Sequence, residues 1–529
     1  MTQSSALACQ AMVTAPHALA TQAGVSILRD GGNAADAIIG VAAALAVLYP
    51  HMTGIGGDAF FLYYDAKSGE IAGYNGSGAA AQLATLDYYR SAGHHVIPER
   101  GPAAALTVPG AVDAWFALAG RFGSLEMERI LGPAIAYASD GAPAARSFVS
   151  AIERLREVLA ADEGATELFL RHGPSQTGDV FRNPQLAATL RSIAAFGRAW
   201  FYEGDGARSI AQRAEAIGSP LRARDFAEHR GAFCEPVAGQ FYGFESLTVP
   251  PNSQGLTLLI AQQTYEAYAN GKALEVGSAA QVHGAVESIR LAIEDRDGVV
   301  TDPNAGDEWR AMLQPERALA HAARIDPYMA RLPVEQHIDR GDTAYFACVD
   351  GAGNAASFIQ SLFHGFGAGV VMPELGVTLQ NRGTSFDLSE GRLRSLAPGK
   401  RPFHTLMPCM LLRDAKPHLV YGSMGGDAQP QIALQLSTTI ALGMNPQDAI
   451  ERPRWRWATQ DQREPARLHV ESRLGDACIA GLRARGHDVL VMGAWEESMG
   501  HAGAILIDRS SGVLSGGWDP RSDGAAAGY

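Results

Sequence analysis

This sequence predicts an α+β fold in which the first and last parts of the chain share one core, and three observations predict it. The composition is that of an ordinary globular protein, 47% hydrophobic and 19% charged over 529 residues. Helix-length apolar patterns dominate before residue 343, and short β-like runs separated by glycine turns dominate after it. The strand-rich remainder has too little helix to cover both faces of its sheets. Residues 1–342 and 343–529 are therefore expected to pack as one body.

Taken in order, residues 16–31 read as a helix with Gly31-Gly32 as its stop. Asn33 is suited to cap the next one, an Ala-rich run from Ala34 to Tyr49. That run carries Asp36 and is too short and small-sided for a bilayer span, so it reads as a buried central helix. The glycine turn Thr53–Asp58 and the strand AFFLYYDA follow. Stretches such as GAVDAWFALAGRF and NPQLAATLRSIAAF make 110–230 mostly helical. Pro250-Pro251-Asn252-Ser253-Gln254-Gly255 breaks the chain before the helix LTLLIAQQTYEAYA. A further helix, AAQVHGAVESIRLAIEDRD, ends near Asp302-Pro303. Beyond it the runs TAYFACVD, NAASFIQSL, AGVVM, GVTLQN, MPCMLL, HLVYGS, DVLVMG and GAILIDR are expected to build the sheets. The helix PQIALQLSTTIALG follows Gly425-Gly426.

Net charge is −13 and no dense Lys/Arg run occurs, which argues against nucleic acid and anionic membrane as partners. A small anionic substrate stays open, because a site can be locally basic. The five cysteines are scattered without a C-x-x-C, so neither a disulfide framework nor a zinc site is implied, which suits a reducing cytosol. The start, MTQSSALACQAMVTAPH, has no basic region followed by a long apolar one, so no signal peptide is read there and a cytoplasmic location is expected. The 15 histidines show no ligand spacing, and H-E-x-x-H, Walker and G-x-S-x-G patterns are absent, so no metal and no cofactor are expected. Gly54–Ala59 fits G-x-G-x-x-A loosely. Its helix precedes and its strand follows, the reverse of a dinucleotide loop.

Chemistry is most legible at Asp342-Thr343. A polar, proline-containing stretch, Leu332–Gly341, leads into it. If the chain is cut before Thr343, that residue gains an α-amine beside its own hydroxyl and holds both base and nucleophile of an amidase. A Thr opening a strand also serves β-propensity alone. Gly422-Ser423-Met424-Gly425-Gly426, between a strand and a helix, reads equally as an oxyanion hole or a tight turn. Arg382, just past a predicted strand, is placed to grip a carboxylate or to make a structural ion pair. His404 and Thr405 are candidates for orienting a substrate, although by themselves they are ordinary loop residues.

Ten collinear stretches add to this reading: MVTAPHALATQAGVSILRDGGNAADA, YPHMTGIGGDAFF, TVPGAVDAWFALAGRFG, PPNSQG, EDRDGVVTDP, GDTAYFACVDGAGNAASF, GFGAGVVMPELGVTLQN, GKRPFHTLMP, GSMGG and DPRSDGAAAGY. On them the chain resembles the γ-glutamyltranspeptidase family of N-terminal nucleophile hydrolases over nearly its full length. The resemblance implies a four-layer αββα sandwich and autocatalytic cleavage between Asp342 and Thr343. It implies a large subunit, 1–342, and a small subunit, 343–529, held as a heterodimer and open to further pairing. It makes Thr343 the nucleophile, Ser361 its hydrogen-bonding partner, and Gly425 and Gly426 the oxyanion hole.

The departures from the family are also informative. The family holds the glutamyl α-carboxylate with an Arg in an Arg-Glu-x-Ala-Pro stretch, and here that place reads Asn75-Gly76-Ser77-Gly78-Ala79. Where the family offers acceptors to the α-amino group, this chain has Phe363, Arg382 and Ser385, and the paired Ser-Ser reads His404-Thr405. An ammonium finds no acceptor in Phe or Arg, and the Arg repels it. The resemblance together with Arg382 therefore implies a small amide that carries a carboxylate and no amine. The branch implied is oxamate amidohydrolase, turning oxamate into oxalate and ammonia in purine catabolism. The alternatives are a γ-glutamyltransferase or glutathione hydrolase with a rewired pocket, a glutaryl- or cephalosporin-type acylase, and an unprocessed binding protein.

Overall fold

Two seven-stranded, all-antiparallel sheets pack face to face, and each draws strands from both sides of residue 343. The computed structural model describes residues 4–272, 274–332, 341–459 and 465–529. Most of the stretch Leu332–Gly341, namely 333–340, lies outside them.

The first sheet runs in the order Ala6–Ala8, Leu514–Trp518, Ala502–Ile507, Lys416–Ser423, Cys409–Arg413, Phe244–Thr248, Val237–Phe241. The second runs Ala525–Gly528, Met12–Ala15, Asp342–Val349, Ala355–Phe363, Asp58–Tyr64, Ile71–Asn75, Ala232–Cys234. Alternate residues of the strand at 342–349 part to opposite faces. Tyr345, Ala347 and Val349 enter the core between the sheets with Leu247, Met410, Val420 and Ile505. Ala344, Phe346 and Cys348 face a helical layer instead.

That layer centres on Ala34–Leu48, buried along its whole length as its small apolar residues require. Asn33 caps it through a capping box with Asp36. Ala18–Arg29, Ala111–Phe122 and Met127–Asp140 flank it. The outer face of the first sheet is covered by Gly255–Ala269, Ala279–Val299 and Gln429–Ala441. Helix, sheet, sheet, helix is the αββα order expected. No helix among the described residues is long and apolar enough to cross a membrane.

Three β-like runs do not join the main sheets. DVLVMG supplies Val489–Met492 to a separate three-stranded sheet, parallel to Arg467–Glu471. AGVVM and GVTLQN form their own two-stranded pair, Val371–Met372 with Val377–Thr378. A period-two pattern reports a half-buried strand and not the sheet it joins. The part before residue 343 is also richer in strand than its composition predicts: seven of the fourteen main-sheet strands come from it.

Candidate active site

Thr343 stands at the start of the strand Asp342–Val349, third in its sheet, and is 1% exposed. Its neighbour Ala355–Phe363 pairs Asp342 with Phe363 and Ala344 with Gln360, and the register shifts between these pairs. Such a bulge re-aims side chains near its position, and here it brings Ser361 under the Asp342–Thr343 bond. The Ser361 hydroxyl donates to the Asp342 carbonyl at 2.6 Å. It accepts from the Thr343 hydroxyl at 3.1 Å and from the Phe363 amide at 2.7 Å. One oxygen thus links the Thr343 hydroxyl to the carbonyl of the peptide bond preceding it, and its accepting sites are filled so that its proton points at that carbonyl.

The turn Gly425-Gly426 reaches the same place from the other sheet. It ends the strand Lys416–Ser423 and opens the helix Gln429–Ala441. Both glycines have positive φ, 134° and 55°, a region costly for other residues. A Cβ on Gly341 would lie 3.1 Å from the Gly426 Cα, so the turn abuts the segment entering Asp342. Neither glycine amide donates to an acceptor among the described residues. Their carbonyls are engaged, by Ala428 N–H and by Gln254 Nε2 at 2.8 Å. Gln254 also donates to the Thr405 carbonyl at 2.8 Å. Its own oxygen accepts from Arg296, which is ion-paired with Asp427 beside the turn. Two N–H groups in a turn fixed through its carbonyls are what an oxyanion site needs.

Arg382 is fully buried beside this machinery. Its guanidinium lies 3.2 Å from the centre of the Phe363 ring, and Nη1 donates to Thr405 Oγ1 at 3.1 Å. The same Phe363 ring comes within 3.2 Å of where a Gly341 Cβ would be, and its residue holds a left-handed φ of 80°. Arg382, Phe363, Thr405 and the backbone at Gly341 are therefore one contact cluster. His404 lies next to it with both nitrogens engaged: Nδ1 accepts from the Leu406 amide at 3.3 Å, and Nε2–H points at Asp58 Oδ2, 3.1 Å away. Desolvation, reinforced by Arg382 and opposed by Asp58, lowers the His404 imidazole to about 4, so it is neutral at ordinary pH.

Asp58 has no chemical motif of its own in the sequence, yet it organises the floor of the site. Its Oδ1 accepts from the amides of Gly78 and Gly110 at 3.1 Å each and from Gln380 Nε2 at 3.0 Å. The segment Asn75–Ala79 is thereby packed tightly, and a Cβ on Gly78 would sit 1.6 Å from the Val108 carbonyl. Asn75 spends its own amide on Asn252 and its oxygen on Ser77 and Arg401. Asp58, Gln254 and Arg296 each fall in one of the stretches quoted above, and that was their only sequence signal.

On the far side of the bond, the Asp342 carboxyl is seated so that a Cβ on Gly365 would lie 2.9 Å from Oδ2. Burial raises this carboxyl above its ordinary range, opposed by Arg154, His364, Arg100 and the Gly365 amide.

Comparison with known proteins accords with this geometry. The family model described as gamma-glutamyltranspeptidase matches residues 20–529. The chain is 41% identical to a glutathione hydrolase-like YwrD proenzyme of Bacillus subtilis, covering 99% of each chain. It is 42% identical to an oxamate amidohydrolase proenzyme of Klebsiella pneumoniae, covering 99% of this chain and 100% of that one. Among solved structures, a cephalosporin acylase from Bacillus halodurans superposes with a TM-score of 0.90 at 34% identity, covering 100% of this chain and 97% of that one.

Proposed function

The chain belongs to the gamma-glutamyltranspeptidase family and is an autoprocessing amide hydrolase of the N-terminal nucleophile type; from that premise we propose that Thr343 is its nucleophile and a small carboxylate-bearing amide, best matched by oxamate, its substrate. The observation that carries the first part is the Ser361 hydroxyl bridging the Thr343 Oγ and the Asp342 carbonyl.

In the precursor, Thr343 Oγ attacks the Asp342 carbonyl carbon while Ser361 O–H supports the oxygen as it becomes negative. The Thr343 hydroxyl proton ends on the departing amide nitrogen, leaving an Asp342–Thr343 ester. Water cleaves the ester to an Asp342 carboxylate and a free Thr343 amine. An α-amine titrates near ~7.7–8.0, so a useful fraction is free base at neutral pH. That amine then takes the Oγ proton as Thr343 attacks a substrate amide. The Gly425 and Gly426 amides receive the oxyanion, each worth roughly 10²–10³ in rate. Ammonia leaves with the transferred proton, and water releases the acid from the acyl-Thr343. Residues 1–342 and 343–529 then form the heterodimer.

For the substrate, relatives of nearly equal identity carry different activities in their names, so the pocket has to decide. A glutamyl head group needs acceptors for its ammonium, and the Phe363–Arg382 pair supplies an aromatic face and a cation instead. Arg382 and Thr405 suit a carboxylate close to the scissile carbonyl, as oxamate has. The test is ammonia release from oxamate alongside product release from glutathione by the same processed protein. Turnover of glutathione with none of oxamate would replace this reading with the glutathione hydrolase one.

A further inference from the structure

The outer helix Ala279–Val299 carries His283 and Glu287 one turn apart, about three turns before Arg296, and His487 meets them from the loop before Val489–Met492. All three are buried, at 0%, 0% and 5% exposure. One potential ligand atom from each lies within 4.8 Å of the other two.

The hydrogen bonds fix the tautomers. A carbonyl only accepts, so His283 Nε2, 2.7 Å from the Asp326 oxygen, carries a proton. His283 Nδ1 is then a lone pair, and the His487 Nε2–H donates to it at 2.8 Å. This leaves His487 Nδ1 buried without a hydrogen-bond partner among the described residues. As a structural pair the arrangement is poor. As a ligand set it is well prepared. An imidazole whose remote N–H is held by a backbone carbonyl is the usual support of a metal-bound histidine. Glu287 is oriented by Arg290 on Oε1 at 2.9 Å, while Oε2 has a long 3.4 Å contact to the Arg331 amide.

We propose that His283, Glu287 and His487 bind a divalent cation of the zinc class through His283 Nδ1, His487 Nε2 and a Glu287 oxygen, with the fourth position open to water. Two imidazoles and one carboxylate are a borderline donor set that favours zinc over magnesium or calcium. Tetrahedral zinc at ~2.0–2.1 Å from nitrogen sets its ligands about 3.3 Å apart, so the ion replaces the 2.8 Å hydrogen bond between the rings, which part slightly and turn until both lone pairs and the Glu287 oxygen converge on it. The proton now on His487 Nε2 moves to Nδ1, and no net proton is released. The ion is structural. The same cluster fastens the segment Asp326–Leu332 to the helix: Asp326 O is on His283, and Arg331 O and Leu332 O are on Arg290 at 2.8 and 2.6 Å. That segment is the last described part of the chain before Gly341 and Asp342.

The full chain, stripped by chelator and desalted, is titrated with zinc chloride, and retained metal is counted by mass spectrometry. One zinc per chain is expected, with a raised melting temperature. His283→Gln and His487→Gln should each weaken binding by more than the ~10–100-fold that losing a ligand's supporting group costs, and lose the melting shift, while His95→Gln keeps both. Wild-type protein that retains no stoichiometric zinc, or the two variants retaining it as well as wild type, overturns the site and leaves a hydrogen-bonded histidine pair. Should either variant fail to fold, the wild type loaded with cobalt decides alone. Intense visible absorption of a four-coordinate ion supports the site, and its absence removes it.

Discussion

Replacing Ser361 with alanine isolates the step on which the proposed chemistry depends. The substitution deletes one hydroxyl that donates to the Asp342 carbonyl at 2.6 Å and accepts from Thr343 Oγ at 3.1 Å and the Phe363 amide at 2.7 Å. Loss of a donor aimed at a developing oxyanion costs roughly 10²–10³ in rate, about 2.7–4 kcal/mol of barrier. The orphaned Phe363 amide adds a ground-state penalty of about 1–3 kcal/mol, which lowers the melting temperature without touching the reaction coordinate. Purified Ser361→Ala precursor, followed by intact mass over days, should cleave at least ~100-fold more slowly than wild type. Ser361→Thr, which keeps the hydroxyl, should recover most of the rate at similar stability. Wild-type cleavage by Ser361→Ala would show that the hydroxyl does not polarise the scissile carbonyl, and the bridge would be only a strand-bulge contact.

Thr343→Ala should remain a single chain on a denaturing gel, whereas wild type should yield a fragment beginning TAYFA. Arg382→Ala should raise KM for a carboxylate-bearing amide at least ~10-fold with processing unchanged, and Arg382→Lys should recover little, because a point charge cannot reproduce a planar group stacked on Phe363; equal KM values would remove Arg382 from the substrate site. Gly57→Ala should stall processing, since its Cβ would lie 2.0 Å from the Ser361 carbonyl oxygen; full cleavage of that variant would count against a rigid Ser361. His404 is lowered from 6.5 to about 4, so between those values the unfolded chain binds a proton that the folded one refuses. Its stability contribution is complete above about pH 6.5 and declines towards pH 4, by about 2 kcal/mol between pH 7 and 5. Urea unfolding at both pH values should show a smaller drop for His404→Gln than for wild type, and equal drops would refute the assignment.

How much of this was legible in the sequence depended on whether the signal was local. Asn33 announced a capped helix because a cap acts within one turn of the residue that makes it, and the structure adds Asp36 as the other half of a capping box. Thr343, Gly425 and Gly426 could be marked as candidates because each sits in a short contiguous stretch with its own chemistry. The strands Leu514–Trp518 and Ala525–Gly528 were not. LSGGW and AAAG have almost no β-branched residues, and they are strands because neighbours pair with them on one or both sides. Asp58 escaped for a related reason. Its partners Gly78, Gly110, Gln380 and His404 are brought together only by the fold, and a lone Asp ending a glycine turn carries no mark of four acceptor contacts. The pair His283 and His487 is separated by 204 positions, which no spacing rule reaches.

The position of the proposed cut makes physical sense of the mixed sheets. The strand beginning at Asp342 lies between Met12–Ala15, from before the cut, and Ala355–Phe363, from after it. A break after Asp342 therefore severs the end of a strand while leaving its ladder to Met12–Ala15 intact. In the first sheet, Phe244–Thr248 pairs with Cys409–Arg413 across the same divide. Separating the two products would require opening both sheets along their lengths and exposing the core between them, a cost on the scale of unfolding. The proposed catalytic parts also come from both sheets, with Ser361 next to Thr343 in one and Gly425-Gly426 at the end of a strand of the other. A new chain terminus can serve as nucleophile only if cleavage does not let it move. Its own strand and bulge hold it on one side and the glycine turn of the facing sheet on the other, so cleaving one bond can create the amine without losing the geometry that made the bond cleavable.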